Sequence, residues 1–307
     1  MTPRHTPQKV FIVFNPKSGK EERADEIRAM LARYFTPPHW KPELYETSGK
    51  EDLAAICRAA CKRGTGLVIA AGGDGTVCAA ANGLIQSRVP LGILPLGTGN
   101  GLARVLGIPL NLNQALEVLS GEHVIIGADA LRVGERYFFL NVSAGISPQM
   151  MSETKPDQKK RFGRLAYVWT MIKRSSIFQL RRYQLTIDDR AQWVNASEIL
   201  ISNATLLDKP PHVFGPPETL NDGRLEVYLV TAHSLGDYLR LFWDVLSRPG
   251  QSAAKLRHLE AKRCVSIKSA GHPHLLQADG EVIGHTPVEV ELIPTAIQVI
   301  MPKPVPA

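Results

Sequence analysis

The 307-residue chain reads as an α/β domain followed by an antiparallel β domain. Three observations carry that reading. The first 110 residues repeat a unit of apolar run, glycine-containing loop and helical stretch. Later residues fall into short apolar runs separated by turn signals, and 44% apolar content against 21% charge supplies a sizeable core.

VFIVF (10–14) leads into NPKSGK and a helical stretch from about Glu22. LVIAA (67–71) leads into GGDGT and a helix around 77–84, and LGIL (91–94) leads into PLGTGN and a helix around 102–106. Between the first two, WKPELYET reads as a strand. Ser48-Gly49-Lys50-Glu51 then forms a capping-box pattern ahead of Leu53, Ile56, Cys57 and Ala60 at helical spacing. Alternating strands and helices imply a three-layer domain, a parallel sheet covered on both faces. Its loops gather along the edge where open α/β sheets bind ligands.

The character changes near Ile126. ALRV, YFFLNV, RRYQLTIDD, VNASEILISN, RLEVYLVTA, CVSIKS, HLLQADGEVIG and VEVELI are short, frequent strand candidates, interrupted by helical pieces at about 161–175 and 234–248. The expected domains are 1–127 and 128–307.

Cys57, Cys61, Cys78 and Cys264 form no CxxC pair and no Cys/His cluster, which argues against a zinc site or disulfide framework. The start MTPRHTPQKV lacks a secretory apolar run, and no stretch approaches the ~20 apolar residues of a spanning helix. A cytoplasmic protein is expected. Residues 155–182 hold nine Lys or Arg against one Asp, +8 of a whole-chain net charge of +7, so the remainder is close to neutral.

Backbone amides can cradle a polyphosphate only where no Cβ blocks the approach, and a helix starting after the loop adds its positive end. Gly72, Gly73 and Gly75 suit that task, and Asp74 suits a Mg²⁺ ion, a ribose or a phosphoryl acceptor. There is no GxxxxGK[ST], and GTGNGLA lacks dinucleotide-fingerprint spacing, so the ordinary P-loop and Rossmann readings lose.

In order along the chain, NPKSGK (15–20), GGDGTV (72–77), PLGTGN (95–100), FFLNVSAG (138–145), GRLAY (163–167), NDGRLEV (221–227) and ADGE (278–281) together resemble the diacylglycerol kinase catalytic superfamily. Within it the motifs look most like those of the bacterial soluble lipid kinases, with sphingosine and ceramide kinases as relatives and NAD kinases more distant. The resemblance implies an α/β nucleotide-binding domain, a C-terminal β-sandwich for the lipid, and final residues that return to the first domain. It implies ATP and Mg²⁺ as cofactors. Asn15, Thr47, the run 72–78 (Gly72, Gly73, Asp74, Gly75, Thr76) and Gly97, Thr98, Gly99 and Asn100 match nucleotide-contacting loops. Asp279 matches the general base and Glu281 its acidic neighbour; Asp222 matches a side-chain ligand of a structural Mg²⁺, completed by the carbonyls of Thr219 and Arg224. Two motifs depart from the relatives' pattern: Cys78 and Ala79 stand where GGDGTxNE has Asn and Glu, and Gly101 stands where GTxND has Asp.

A hydroxyl acceptor needs a carboxylate within reach of its proton, and Asp279 is the residue expected there. As pattern alone, its Asp-Gly step reads as a hairpin turn; a turn can also display a carboxylate. Lys17 and Lys20 both remain candidates to neutralise phosphate. In KKRFGRLAYVWTMIKR, Phe162, Leu165, Ala166, Trp169 and Ile172 share one helical side, and Lys160, Arg161, Arg164 and Arg174 fall on the other, with Lys173 out of place. The apolar stripe reads as packing on the β domain and the basic face as docking at an anionic membrane surface, a peripheral association. Nucleic acid is not expected as a partner, since no recognised module accompanies the charge. A second copy of the chain is carried as a candidate partner. The competing functions are an NAD kinase-like enzyme with a soluble acceptor and a non-catalytic nucleotide or lipid sensor.

Overall fold

The computed structural model describes residues 7–19, 21–153, 178–204, 220–247 and 253–303. The chain divides into two compact units, Met1–Asp129 with Pro294–Ala307, and Ala130–Ile293. In chain order the elements are β1 (Gln8–Phe14), a 3-10 turn (Glu21–Arg23), α1 (Ala24–Tyr34), β2 (Trp40–Glu46), α2 (Leu53–Lys62), β3 (Leu67–Gly72), α3 (Asp74–Gly83), β4 (Leu91–Pro95), α4 (Gly101–Val105) and α5 (Leu112–Ser120). β5 (His123–Val133), β6 (Arg136–Phe138), β7 (Asn141–Gly145), α6 (Ile146–Glu153), β8 (Arg181–Ile187), β9 (Arg190–Ala196), β10 (Glu198–Ser202) and β11 (Leu225–Val230) follow. The chain ends with α7 (Leu235–Ser247), β12 (Leu256–Ala261), β13 (Cys264–Ser269), β14 (Leu275–Ala278), β15 (Glu281–His285) and β16 (Val288–Pro302).

The first unit holds a parallel sheet in the order β2-β1-β3-β4-β16. β2 is the edge strand: it is largely exposed and carries Pro42, which cannot donate to a ladder. Every residue of β3 and β4 is buried, as strands covered on both faces require. α2 and α3 touch closely enough that a Cβ at Gly83 would lie 2.5 Å from the Ala54 carbonyl oxygen and 2.7 Å from the Cys57 Cβ.

In the second unit, sheets with the orders β16-β13-β8-β9 and β12-β11-β10-β7-β14-β15 enclose one apolar core. Tyr183, Leu185, Val265 and Ile267 enter it from the first sheet, and Val142, Ile199, Ile201 and Val227 from the second. This is the expected antiparallel β domain. β16 runs for 15 residues, far past VEVELI; its early residues pair with β13, and Val299 pairs with Leu91 of β4. VNASEILISN divides into β9 and β10 at Ser197, where the chain passes from one sheet to the other. The helical piece around 234–248 is α7, and α5, capped by Asn111, is a helix the sequence reading did not include. The piece at 161–175 lies outside the described residues.

The Ser48 capping box is corrected. α2 starts at Leu53 with Asp52 as its N-cap, accepting from the Ala55 amide at 3.0 Å. Glu51 instead folds back on the preceding turn, accepting from the amides of Ser48, Gly49 and Lys50 and from the Thr47 hydroxyl. The Ser48 and Thr47 hydroxyls, with the Ser48 amide, hold its carboxyl far below the usual range.

Glu198 is a buried acid under α6. Its Oε2 accepts the Ser147 amide at 3.0 Å, whereas its Oε1 is buried with no hydrogen-bond partner. Burial pushes its pKa up, only partly opposed by the Ser147 amide and the Ser147 and Ser143 hydroxyls. The folded state therefore retains a proton that an unfolded Glu releases near about pH 4.3. That contribution to stability is complete below the unfolded value and is lost as pH rises through the raised folded value. Glu198→Gln should melt with wild type in acid and above it toward alkaline pH; parallel melting curves would refute this. Gly83→Ala should lower unfolding free energy by about 1–3 kcal/mol through overpacking, read as a shift in the urea midpoint. An unchanged midpoint would refute the close α2–α3 contact.

Candidate active site

The carboxyl ends of β1, β3 and β4 carry the three expected loops, and the side chains bind the loops to one another. The Asn15 amide donates to the Ala71 carbonyl at 2.9 Å, and its Nδ2 donates to Thr76 Oγ1 at 3.1 Å. The Gly73 amide donates to Ser18 Oγ at 3.1 Å. Asp74 joins the second loop to the third: its Oδ2 accepts the Asn100 amide at 2.9 Å and its Oδ1 the Gly101 amide at 2.6 Å. Asn100, at φ +51°, closes its own loop by accepting from the Gly97 amide and donating to the Gly97 carbonyl.

The loop glycines make room first for protein. A Cβ at Gly97 would sit 2.7 Å from the Gly73 Cα, one at Gly99 would sit 2.6 Å from Asp74 Oδ2, and one at Gly72 would strike Thr76. Two of these contacts are with the very groups that lock the loops. Gly75 is exposed in the first turn of α3, a helix whose N-cap is Gly73 and which no side chain caps. Its leading amides and positive end suit an anion.

Beside the third loop a cavity of about 310 Å³ is lined by Ser18, Gly97, Thr98, Asn100, Arg23 and Arg104, among others. Thr98 is exposed there, and Arg104 Nε donates to the Gly99 carbonyl at 2.8 Å. Arg23 and Arg104 are cations that the sequence reading did not single out; only the fold brings α1 and α4 to one hollow. Thr47, by contrast, is buried and holds Glu51 at 2.7 Å. Lys17 is exposed, and Lys20 lies outside the described residues.

In the second unit, Asp279 and Gly280 have φ +45° and +88° between paired Ala278 and Glu281, the two-residue turn expected of an Asp-Gly hairpin. The Asp279 carboxylate is not left to the turn. Oδ2 accepts the Phe139 amide at 2.7 Å, and Oδ1 accepts the amides of Leu140 and Asn141 at 3.0 and 2.9 Å. FFLNVSAG and ADGE, 139 residues apart at Leu140 and Asp279, thus meet through one carboxylate. Glu281 turns to Arg136, with Nη2 to Oε2 at 2.9 Å, and Arg136 also lies over the Phe138 ring.

Asp222 is exposed, and its Oδ1 accepts the Arg224 amide at 3.0 Å; Thr219 lies outside the described residues. Arg224 extends to Glu260 at 2.9 Å. Among the described residues, the one group of His, Cys, Asp and Glu close enough to share an ion is Glu226, His258 and Glu260. Glu226 and Glu260 are register partners on β11 and β12, which their separation in sequence conceals. His258 bonds to Glu226, whose pKa burial raises and His258 draws back down.

Asp74→Ala should release the Asn100 and Gly101 amides. Carboxylate hydrogen bonds are worth roughly 1.5–3 kcal/mol, so exchange there should quicken by about tenfold or more. Unchanged protection at both amides would refute the clamp.

Comparison with known proteins bears on the family and the fold. Residues 9–131 match the diacylglycerol kinase catalytic domain, and residues 141–301 match the YegS C-terminal NAD kinase beta sandwich-like domain. A diacylglycerol kinase of Bacillus subtilis is 27% identical over 298 residues, covering 95% of this chain and 96% of its own. One from Mycobacterium tuberculosis H37Rv is 27% identical over 320 residues, covering 98% and 97%. The crystal structure of a diacylglycerol kinase from Bacillus anthracis superposes with a TM-score of 0.74 at 22% identity, covering 96% of this chain and 98% of that one. Yeast NADH kinase complexed with NADH superposes with 0.51 at 13% identity, covering 97% and 84%. At those identities the two structures speak to fold alone. No helix among the described residues is long and apolar enough to cross a membrane. With both parts of the chain matched in order, it belongs to the diacylglycerol kinase family.

Proposed function

We propose that the protein is an ATP-dependent lipid kinase that transfers the γ-phosphoryl group to a lipid hydroxyl, on diacylglycerol or a sphingoid or ceramide-type lipid. The observation that carries the reading is the Asp279 carboxylate, fixed at a turn tip by three main-chain amides. A general base must be held where it meets its proton, and so rigid a mount suits that work.

In this reading the uncapped first turn of α3, with Gly73, Gly75 and Thr76, receives ATP phosphates, and Thr98 with Asn15 borders them. Asp74 keeps the second and third loops in register. Asp279 takes the proton as the lipid oxygen bonds to the γ-phosphorus and the bond to ADP breaks; Glu281, its acidic neighbour in sequence, is paired with Arg136. The Asp222 carboxylate and the Arg224 carbonyl would suit a hard cation such as Mg²⁺ in donor chemistry, with Thr219, the third expected ligand, outside the described residues. Mg²⁺ bound with ATP would supply charge neutralisation at the phosphates.

The basic segment at 155–182 would meet an anionic membrane surface, peripherally and from the cytoplasm, at roughly 1 kcal/mol per cation. Most of it lies outside the described residues; of the rest, Arg182 stacks over exposed Trp193.

Purified protein, labelled ATP and Mg²⁺ incubated with diacylglycerol in anionic phospholipid vesicles, or with NAD in a parallel tube, tests the assignment. Label should enter a phosphorylated lipid, and Asp279→Asn should lower kcat by about 10²- to 10⁴-fold. Label in NADP with none in lipid, or full turnover by Asp279→Asn, would overturn it.

A further inference from the structure

Gln277 takes no part in the chemistry above, yet both polar atoms of this buried side chain reach the pieces that hold Asp279. Its Oε1 accepts the Gly280 amide at 3.1 Å, inside the turn. Its Nε2 donates to Asn141 Oδ1 at 2.7 Å and to Ser143 Oγ at 2.9 Å, on β7. Asn141 in turn gives its own amide to Asp279 and accepts the Asp279 amide with its carbonyl. Burying an amide is costly unless every polar atom is bonded. An apolar residue could fill the same space without that demand, so the bonds themselves call for explanation.

The register supplies it. Leu276 pairs with Gly284, but Gln277 pairs with Val282, so β15 holds an extra residue at this step. Beyond the irregularity only Gln277–Val282 and Ala278–Glu281 remain before the turn. A slip of one residue would carry Asp279 away from the amides of Phe139, Leu140 and Asn141. Gln277 opposes the slip because it grips the turn with one atom and β7 with the other.

We propose that Gln277 is a positioning residue for the phosphoryl transfer: it locks the Asp279 turn onto β7 and so fixes where the base stands. The inference rests on the reading of Asp279 as the base.

Gln277→Met preserves volume and removes all three bonds, while Ser143→Ala removes one and disturbs folding less. For Gln277→Met, kcat toward diacylglycerol vesicles should fall about 10- to 100-fold with the KM for ATP within about twofold. The amides of Phe139, Leu140 and Asn141 should exchange about tenfold faster, with Leu185 in the core unchanged. Ser143→Ala should shift both quantities in the same direction by less. In an Asp279→Asn background, Gln277→Met should lower kcat no further, as residues acting as a unit do.

Unchanged exchange at the three amides in both variants would overturn the proposal. So would an equal loss of kcat in both backgrounds, which would make Gln277 a stabiliser without a tie to the base. Full turnover by Asp279→Asn alone would remove the base assignment, while the exchange data would still decide whether Gln277 fixes the turn.

Discussion

The structure depends on aspartates that collect main-chain amides. A carboxylate that accepts two or three N–H groups does what secondary structure cannot do at a loop: it fixes an irregular backbone and satisfies donors that burial would otherwise strand. Asp74 does this between the β3 and β4 loops, and Asp279 does it between the β14–β15 turn and the start of β7. In each unit, therefore, a carboxylate sets the shape of an irregular stretch of backbone. This also answers why one acid stands among the glycines of GGDGT. Asp74 needs bare backbone around it, since a Cβ at Gly99 would collide with its Oδ2.

The departures from the relatives' motifs fit the same logic. Gly101, at the place of the Asp in the GTxND pattern the sequence resembles, contributes its amide to Asp74 at 2.6 Å. With Ala79 after Cys78, the three loops 15–20, 72–77 and 95–100 contain a single carboxylate, that of Asp74. The three loops are correspondingly less negative, and Arg104 and Arg23, the latter paired with Glu26, line the hollow beside the third loop.

Much of the fold was legible because local pattern decides it. Apolar runs ending in glycine loops became β1, β3 and β4, and frequent short runs became the sandwich. The turn at Asp279 was readable from its Asp-Gly step. What sequence concealed was pairing at a distance. Nothing local announces that Asp279 binds amides at 139–141, that Glu226 and Glu260 are neighbours, or that Val299 pairs with Leu91. Glu51 looked like a helix cap because Ser-x-x-Glu is the right spacing; Asp52, one residue on, supplied the competing cap, and Glu51 was left to close the turn before it. α5 carries an Asn111 cap and an amphipathic run, yet it falls outside the three-fold strand-loop-helix repeat, which ends just before it.

Asp279 can serve as a base only if phosphate binds, in the proposed reading at the uncapped start of α3. Amide chemical shifts recorded while ATP and Mg²⁺ are titrated into the full-length protein test it most directly. The account predicts saturable shifts of the Gly75 and Thr76 amides as the largest in the α/β unit. Saturation of binding with those two amides unmoved would contradict it.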